Sequence, residues 1–126
     1  MEAKKLGKIG ERLAAEYLTD NGYQVIRRNY HTRYGEIDII AFKDDEIVFV
    51  EVKTRHKDRA AAYSNVSNVK QRRMVKSAVD FLGSESEYTS YRIRFDVVAI
   101  WNVSDEETFQ IEHLVDAFRV DDLYEL

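Results

Sequence analysis

The sequence contains no cysteine and no proline. Without cysteine there is no disulfide framework and no thiolate metal site. Without proline, a linker would have to show itself as a polar or low-complexity tract. None stands out, and there is no internal repeat. Long hydrophobic runs are also missing: nothing approaches the ~18 apolar residues that a membrane span needs. The opening stretch "MEAKKLGKIGERLAAEYL" is too polar for a signal-peptide core. The expectation is a protein of the cytoplasm with no membrane contact. Its 126 residues suit one hydrophobic core, so residues 1–126 are read as one domain. The content of 44% hydrophobic and 33% charged residues fits a globular chain rather than a disordered one.

An overall excess of positive charge is missing as well. The formal net charge is −4, which argues against a generally adhesive nucleic-acid binder. The average hides an asymmetry. From Arg27 to Lys76 there are 12 Lys/Arg and 7 Asp/Glu, a net of +5, and the remainder carries −9. The middle of the chain can therefore present a basic surface, or simply carry ordinary solvated charge.

What is present is periodicity. Leu6, Ile9, Leu13, Tyr17 and Leu18 recur at helical spacing, which predicts an amphipathic helix from about Lys4 to Asp20. Asn21-Gly22 is a stop, with Gly22 free to take positive φ. "YQVIRRNY" reads as a strand, and "GEIDIIAFKDDEIVFVEVK" as a hairpin turning at "KDDE". "HKDRAAAYSNVSN" is a loop. Val75, Ala78, Val79 and Leu82 mark a second helix, with Ser67 or Asn68 as N-cap and Gly83 as stop. "YRIRFDVVAIW" is a strand, "VSDEET" a turn and "FQIEHL" a last strand, with "DAFRVDDLYEL" a short helix or tail.

The hairpin raises the chemical question. A turn centred between Asp44 and Asp45 makes Ile40 face Phe49 and Phe42 face Ile47, and further on Asp38 faces Glu51 and Glu36 faces Lys53. Alternation puts these eight on one face and Ile37, Ile39, Ala41, Val48, Val50 and Val52 on the other. Both faces are then covered, as in a central strand pair. Two like charges directly opposite are destabilising, the more so when half-buried, unless a proton or a cation intervenes. Two carboxylates and a backbone carbonyl between strands are what a hard cation such as Mg²⁺ uses. Lys53 could set an ammonium against a metal-bound water or a phosphate oxygen. The alternative is purely structural: a Glu36–Lys53 cross-strand pair, with Asp38 neutralised by Arg33 or Arg94.

An acidic residue, a strand turn and "EVK" resemble the D-(x)n-(D/E)-x-K motif of the restriction-endonuclease-like nuclease superfamily. The run from "GKIGERLAAEYL" through "GEIDII", "FVEVKTR" and "KQRRMVKSAVDFL" to "RFDVVAI" is similar to the small bacterial YraN family, over about Gly7 to Ile100. That family is related to archaeal Holliday-junction resolvases. The resemblance implies an α/β fold with an αβββαβ core, a central mixed sheet flanked by helices. It implies that Asp38 and Glu51 bind Mg²⁺ or Mn²⁺, with the backbone carbonyl of Val52 as a third ligand. Glu11 would join them directly or through water, and Lys53 would orient or activate the attacking water. Lys70 and Arg73 match basic positions at the start of the second helix, where they would meet phosphate. Independently of the resemblance, their closeness to the loop from Arg55 to Arg59 points to a phosphate-facing surface, and Arg33 is a further candidate contact. The loop after "VKTR" lacks the Phe-Gly pair of the family pattern.

The residues next to these positions carry readings of their own. Glu11 lies among Gly7, Ala14 and Ala15, small neighbours that permit close approach to the sheet, or it is a solvated helix glutamate. Gly7 and Gly10 mark a late helix start or a tight contact, since each costs ~0.5–1 kcal/mol inside a helix. Asp96, beside Arg94, reads as structural. His31, His56 and His113 have no metal-ligand spacing and read as incidental. Tyr30, Tyr34 or Tyr63 could stack on a base.

The expected function is therefore metal-dependent hydrolysis of DNA phosphodiester bonds, on branched or damaged DNA by resemblance. A symmetric dimer would supply two cuts. The rival expectation is a non-catalytic module that keeps the fold and binds nucleic acid or a repair or replication protein. A metal-free acid–base hydrolase ranks third, for want of a sugar-sized cleft.

Overall fold

The computed structural model describes residues 3–56, 66–102 and 108–123. The order is α1 (Ala3–Asp20), β1 (Gln24–Thr32), β2 (Gly35–Lys43), β3 (Glu46–His56), α2 (Asn68–Ser84), β4 (Arg92–Asn102), β5 (Phe109–Phe118) and a short α3 (Val120–Leu123). The strands form one mixed sheet in the order β1-β2-β3-β4-β5. Only β3 and β4 run parallel, joined across α2. This is the expected α/β fold with αβββαβ order, compatible with a restriction-endonuclease-like core and extended by β5.

Each helix covers one face of the sheet. On one face α1 buries Ala14 and Leu18 against Ile39, Ala41, Val48, Val50, Val98 and Ile100. On the other, α2 buries Met74, Val75, Ala78 and Phe81 against Ile40, Ile47, Phe49 and Phe95. Strands covered on both sides cannot show polar alternation, which is why β2 and β3 read as nearly continuous apolar runs. No helix among the described residues is long and apolar enough to cross a membrane.

The turns follow the predicted chemistry. Gly22 has φ +89°, as a helix-stopping glycine requires. Asp44 and Asp45 take φ 49° and 65°, the two left-handed residues of a type I′ hairpin turn. That turn sets the register, and Ile40 faces Phe49 and Phe42 faces Ile47 as expected.

Several boundaries differ. Helix α2 runs through Gly83 to Ser84. The last strand extends over "DAF", because Asp116 takes φ 55° and keeps the chain paired with β4 past a register shift. Residues 103–107 of the "VSDEET" turn and most of the "HKDRAAAYSNVSN" loop, with Arg59 and Tyr63, fall outside the described residues.

Asp96 is structural, and His113 is not incidental. Fully buried Asp96 accepts from Arg94 Nε at 2.9 Å and Nη2 at 2.8 Å, and from the Asp116 N–H at 2.9 Å. His113 Nε2 lies 2.6 Å from its Oδ2. A carboxylate only accepts, so that bond's proton sits on His113. Burial works to raise the Asp96 pKa, but the bonds from His113, Arg94 and Asp116 outweigh it and hold the group below the ordinary carboxylate range. Arg94 also reaches Glu46 at 3.2 Å and the Tyr23 hydroxyl at 2.6 Å. The network ties β3, β4, β5 and the segment after α1 into one unit. Replacing Asp96 by Ala takes the shared acceptor from half-buried Arg94 and His113 and from the Asp116 N–H, and we expect a loss of ~3–5 kcal/mol in chemical denaturation. A loss below 1 kcal/mol would show that the network is not structural.

Candidate active site

Beyond Ile39–Val50 the β2–β3 ladder stops, although β1 and β2 stay paired out to Thr32 and Gly35. The sheet forks there, with β2 following β1 away from β3. Asp38 is the first residue past the last rung. Its Oδ2 accepts the Val52 N–H at 2.8 Å and so takes the place of the missing ladder carbonyl. The alternation of β2 breaks at the same point. Ile37 packs with Ile40 on the α2 side, whereas Ile39 packs on the α1 side. The expectation that Ile37 shares a face with Ile39 and Ala41 is thereby corrected. Across from Asp38, Asn29 of β1 has φ 52°, so both strands bend together.

The fork brings the Asp38 carboxyl beside that of Glu51. Glu51 is 5% exposed. Two like charges so placed repel, and the repulsion favours a proton on Asp38. Burial first, then the Glu51 charge, pushes Asp38 up to about 8, against the opposing pull of the Val52 N–H. In a β-strand the N–H and C=O of one residue point to the same side, so the Val52 carbonyl faces the same gap as the N–H that Asp38 takes.

Glu11 arrives from α1. Gly10 makes this approach possible: a Cβ there would clash with Thr54 of β3, lying 2.8 Å from its Cβ and its Cγ2. This is the tight contact that the glycine marks. Glu11, Asp38, Glu51, Val52, Thr54, Arg55 and His56 line one cleft of about 530 Å³. Burial raises the Glu11 pKa, the charges of Glu36 and Glu51 add to this, and Asn29 and Arg28 oppose it. With its amide nitrogen turned to the carboxylates, Asn29 donates to Glu11 Oε2 and Glu36 Oε1, each at 3.0 Å. Asn29 is a site residue that the sequence reading missed. Its signal was an asparagine inside a β-branched and aromatic strand, a residue type tolerant of left-handed backbone.

The chain belongs to Uncharacterised protein family UPF0102. The family match covers residues 10–100 and so contains the whole fork. The UPF0102 protein of Rhodococcus opacus (strain B4) is 49% identical over 117 residues, 90% of this chain and 95% of the relative. That of Syntrophomonas wolfei is 42% identical over 121 residues, 91% of this chain and 98% of the relative.

The cations of this UPF0102 chain divide into two groups. Ser67 caps α2 by accepting the Lys70 N–H at 3.2 Å, which fixes the first turn, and Lys70 Nζ lies 3.0 Å from Glu51 Oε1. Lys53 is two residues past Glu51 on the same face of β3. Burial, then Arg55 and Lys70, lower its pKa, while Glu51 opposes them. Arg55 is exposed, its guanidinium bonded to the Thr54 carbonyl at 2.8 Å. Arg33 and Arg73 stand further off. Arg33 covers the Tyr34 ring at 5.0 Å, and the Cβ of exposed Arg73 is 3.8 Å from where a Gly35 Cβ would stand. The arginine alternative for Asp38 is not realised, since Arg94 goes to Asp96 and Glu46, and Arg33 to Tyr34. Glu36 is held on its β1 side, by Asn29 and by His31 Nε2 at 3.7 Å.

Asp38, Glu51 and the Val52 carbonyl fit a hard cation, which keeps several waters and needs only one or two carboxylates. Among the described residues no three His, Asp or Glu side chains gather closely enough to hold a metal together. Glu11 does not join the pair in a three-carboxylate cluster.

Two measurements test this geometry. An unfolded aspartate loses its proton near pH ~3.9. Folded Asp38 keeps its proton up to about 8, so over this window the folded state binds more protons, and stability falls as pH rises. In chelator, Asp38→Asn should flatten the decline in melting temperature between about pH 4 and pH 8 and melt above wild type at the alkaline end. An unchanged pH profile would show that Asp38 holds no such proton. Gly10→Ala should cost ~1–3 kcal/mol by overpacking α1 against Thr54; a neutral result would mean that the helix does not rest there.

Proposed function

We propose that this chain is a divalent-cation-dependent nuclease of the restriction-endonuclease-like superfamily, hydrolysing phosphodiester bonds in DNA. The observation that carries the reading is half-buried Asp38 set beside buried Glu51 at the fork, with Lys53 two residues beyond on the same strand face. No structural need accounts for burying two like charges where the ladder could have continued. Nearly the same order of elements, and the "EVK" strand, support the superfamily assignment.

Asp38, Glu51 and the Val52 carbonyl would hold Mg²⁺ or Mn²⁺, with Glu11 acting through water. Such a cation lowers the pKa of a bound water and neutralises charge at the phosphate. Lys53, with its proton loosened by burial and by Arg55, orients the nucleophilic water or steadies the developing negative charge. Arg55, Arg33 and Arg73 hold flanking phosphates. Lys70 balances the acidic pair and is near enough to meet a phosphate that enters the cleft. Branched or damaged DNA as substrate, and a symmetric dimer giving two cuts, extend the same reading.

One contact favours a second reading. Lys70 on Glu51 neutralises the pair from within the chain, as a non-catalytic module that binds nucleic acid or a repair or replication protein would require.

Single-stranded, duplex, flap and four-way-junction DNA, incubated with Mg²⁺, Mn²⁺ or chelator, separate the two. Cleavage that needs the cation and falls at least a hundredfold in Glu51→Ala, with DNA binding retained, is the expected result. Binding without cleavage of any substrate by wild type would establish the second reading instead.

A further inference from the structure

On the side of α1 away from β3 lies a second cleft, of about 550 Å³, between the helix and the edge strand β1. It is lined by Lys5, Lys8, Ile9, Glu11, Arg12, Arg28 and Asn29. We infer that this cleft is a binding track for the phosphate backbone of a nucleic-acid strand running on from the acidic fork.

The spacing is the first argument. Lys5, Lys8, Ile9 and Arg12 stand at i, i+3, i+4 and i+7, one face of the helix. Such a face on a helix packed against a sheet ordinarily supplies apolar side chains, and here the buried stripe is a different one, Leu6, Gly10, Ala14 and Leu18. Three of the five helix positions turned to the cleft are cationic, and Arg28 adds a fourth positive charge from β1. Against them the lining offers one carboxylate, Glu11, already held by Asn29. Arg12 has an exposed partner in Glu16 at 3.1 Å, a loose surface pair that a phosphate can displace. Cations gathered across a concave surface repel one another and focus a positive potential that only an anion relieves.

Continuity is the second argument. Glu11 lines this cleft and also the cleft of Asp38 and Glu51. A polyanion with a phosphate at the fork therefore has cations waiting along its next segment. A repeating phosphodiester chain fits this better than an isolated anion, because the charges are strung along the helix and not gathered at one point. The basic surface counted between Arg27 and Lys76 is thus only part of the interface. Lys5, Lys8 and Arg12 belong to the acidic remainder of the chain and join the track only through the fold.

This inference rests on nucleic acid being the ligand, and its test is separable from cleavage. The probe is a fluorescein-labelled flap DNA, titrated in chelator at several salt concentrations and read by anisotropy. The double variant Lys8→Ala/Arg28→Ala should bind several-fold more weakly, and its log K against log salt slope should shrink by about 1 per side chain removed. Arg92→Ala, at the hairpin end of the sheet, should leave affinity and slope unchanged. Circular dichroism of each variant checks that it is folded, and Lys8→Glu/Arg28→Glu should deepen the loss. Wild-type affinity and slope in both double variants would overturn the track even if wild type cleaves DNA. A reduced slope in a protein that cuts no DNA would support the track and leave the nuclease reading to fail alone.

Discussion

Two carboxyl groups side by side inside a protein oblige everything around them to compensate. Asp38 and Glu51 meet where the β2–β3 ladder ends, and the consequences spread outward from that point. A proton is retained well above the ordinary carboxylate range. Lys70 is drawn across from α2 by the cap at Ser67. The Val52 N–H, deprived of its ladder partner, is given a side-chain oxygen. Asn29 bends β1 so that its amide restrains Glu11 and Glu36. None of these features raises stability in the way a further rung with two apolar residues would. The fold stores an electrostatic demand at one end of the sheet and meets it only in part.

The same sheet holds a second buried acid that behaves in the opposite way. Asp96 is surrounded by a forked guanidinium, an imidazole and a backbone N–H, and it stays ionised below the usual range. Asp38 has a like charge for a neighbour and is pushed upward. The contrast separates a carboxylate that holds strands together from one whose charge its own surroundings oppose. Burial alone does not distinguish the two, and the sign of the neighbour does.

Much of this was legible beforehand, for identifiable reasons. The type I′ turn at Asp44-Asp45 fixes register by local chemistry, so the facing of Ile40 with Phe49 could be counted from the sequence. Extending that count to Asp38 and Glu51 gave the right neighbours by an incomplete route. The two do meet, but through a break in alternation that puts Ile37 on the α2 side and the Asp38 carboxylate at a ladder position. Strand counting assumes a regular pleat, and it cannot register a fork. His113 read as incidental because spacing along the chain says nothing about a partner 17 residues away across β4 and β5.

The sequence by itself determined the order of elements, the existence of both helices and the hairpin register, and it pointed to Asp38, Glu51 and Lys53 as candidates. These depend on periodicity and turn chemistry over short distances. The helix faces it marked were shifted, since α1 buries Gly10 and Ala14 and Val79 of α2 is exposed. Only the tertiary structure decided that the sheet opens at Asp38, that Lys70 lies on Glu51, and that Asn29 restrains Glu11. It alone places Lys5, Lys8, Arg12 and Arg28 around one cleft. Those facts depend on how α1 and α2 are set down on opposite faces of the sheet. That setting follows from the close contact of Gly10 with Thr54 and the burial of Met74, Ala78 and Phe81, sums of many contacts between residues far apart in the chain.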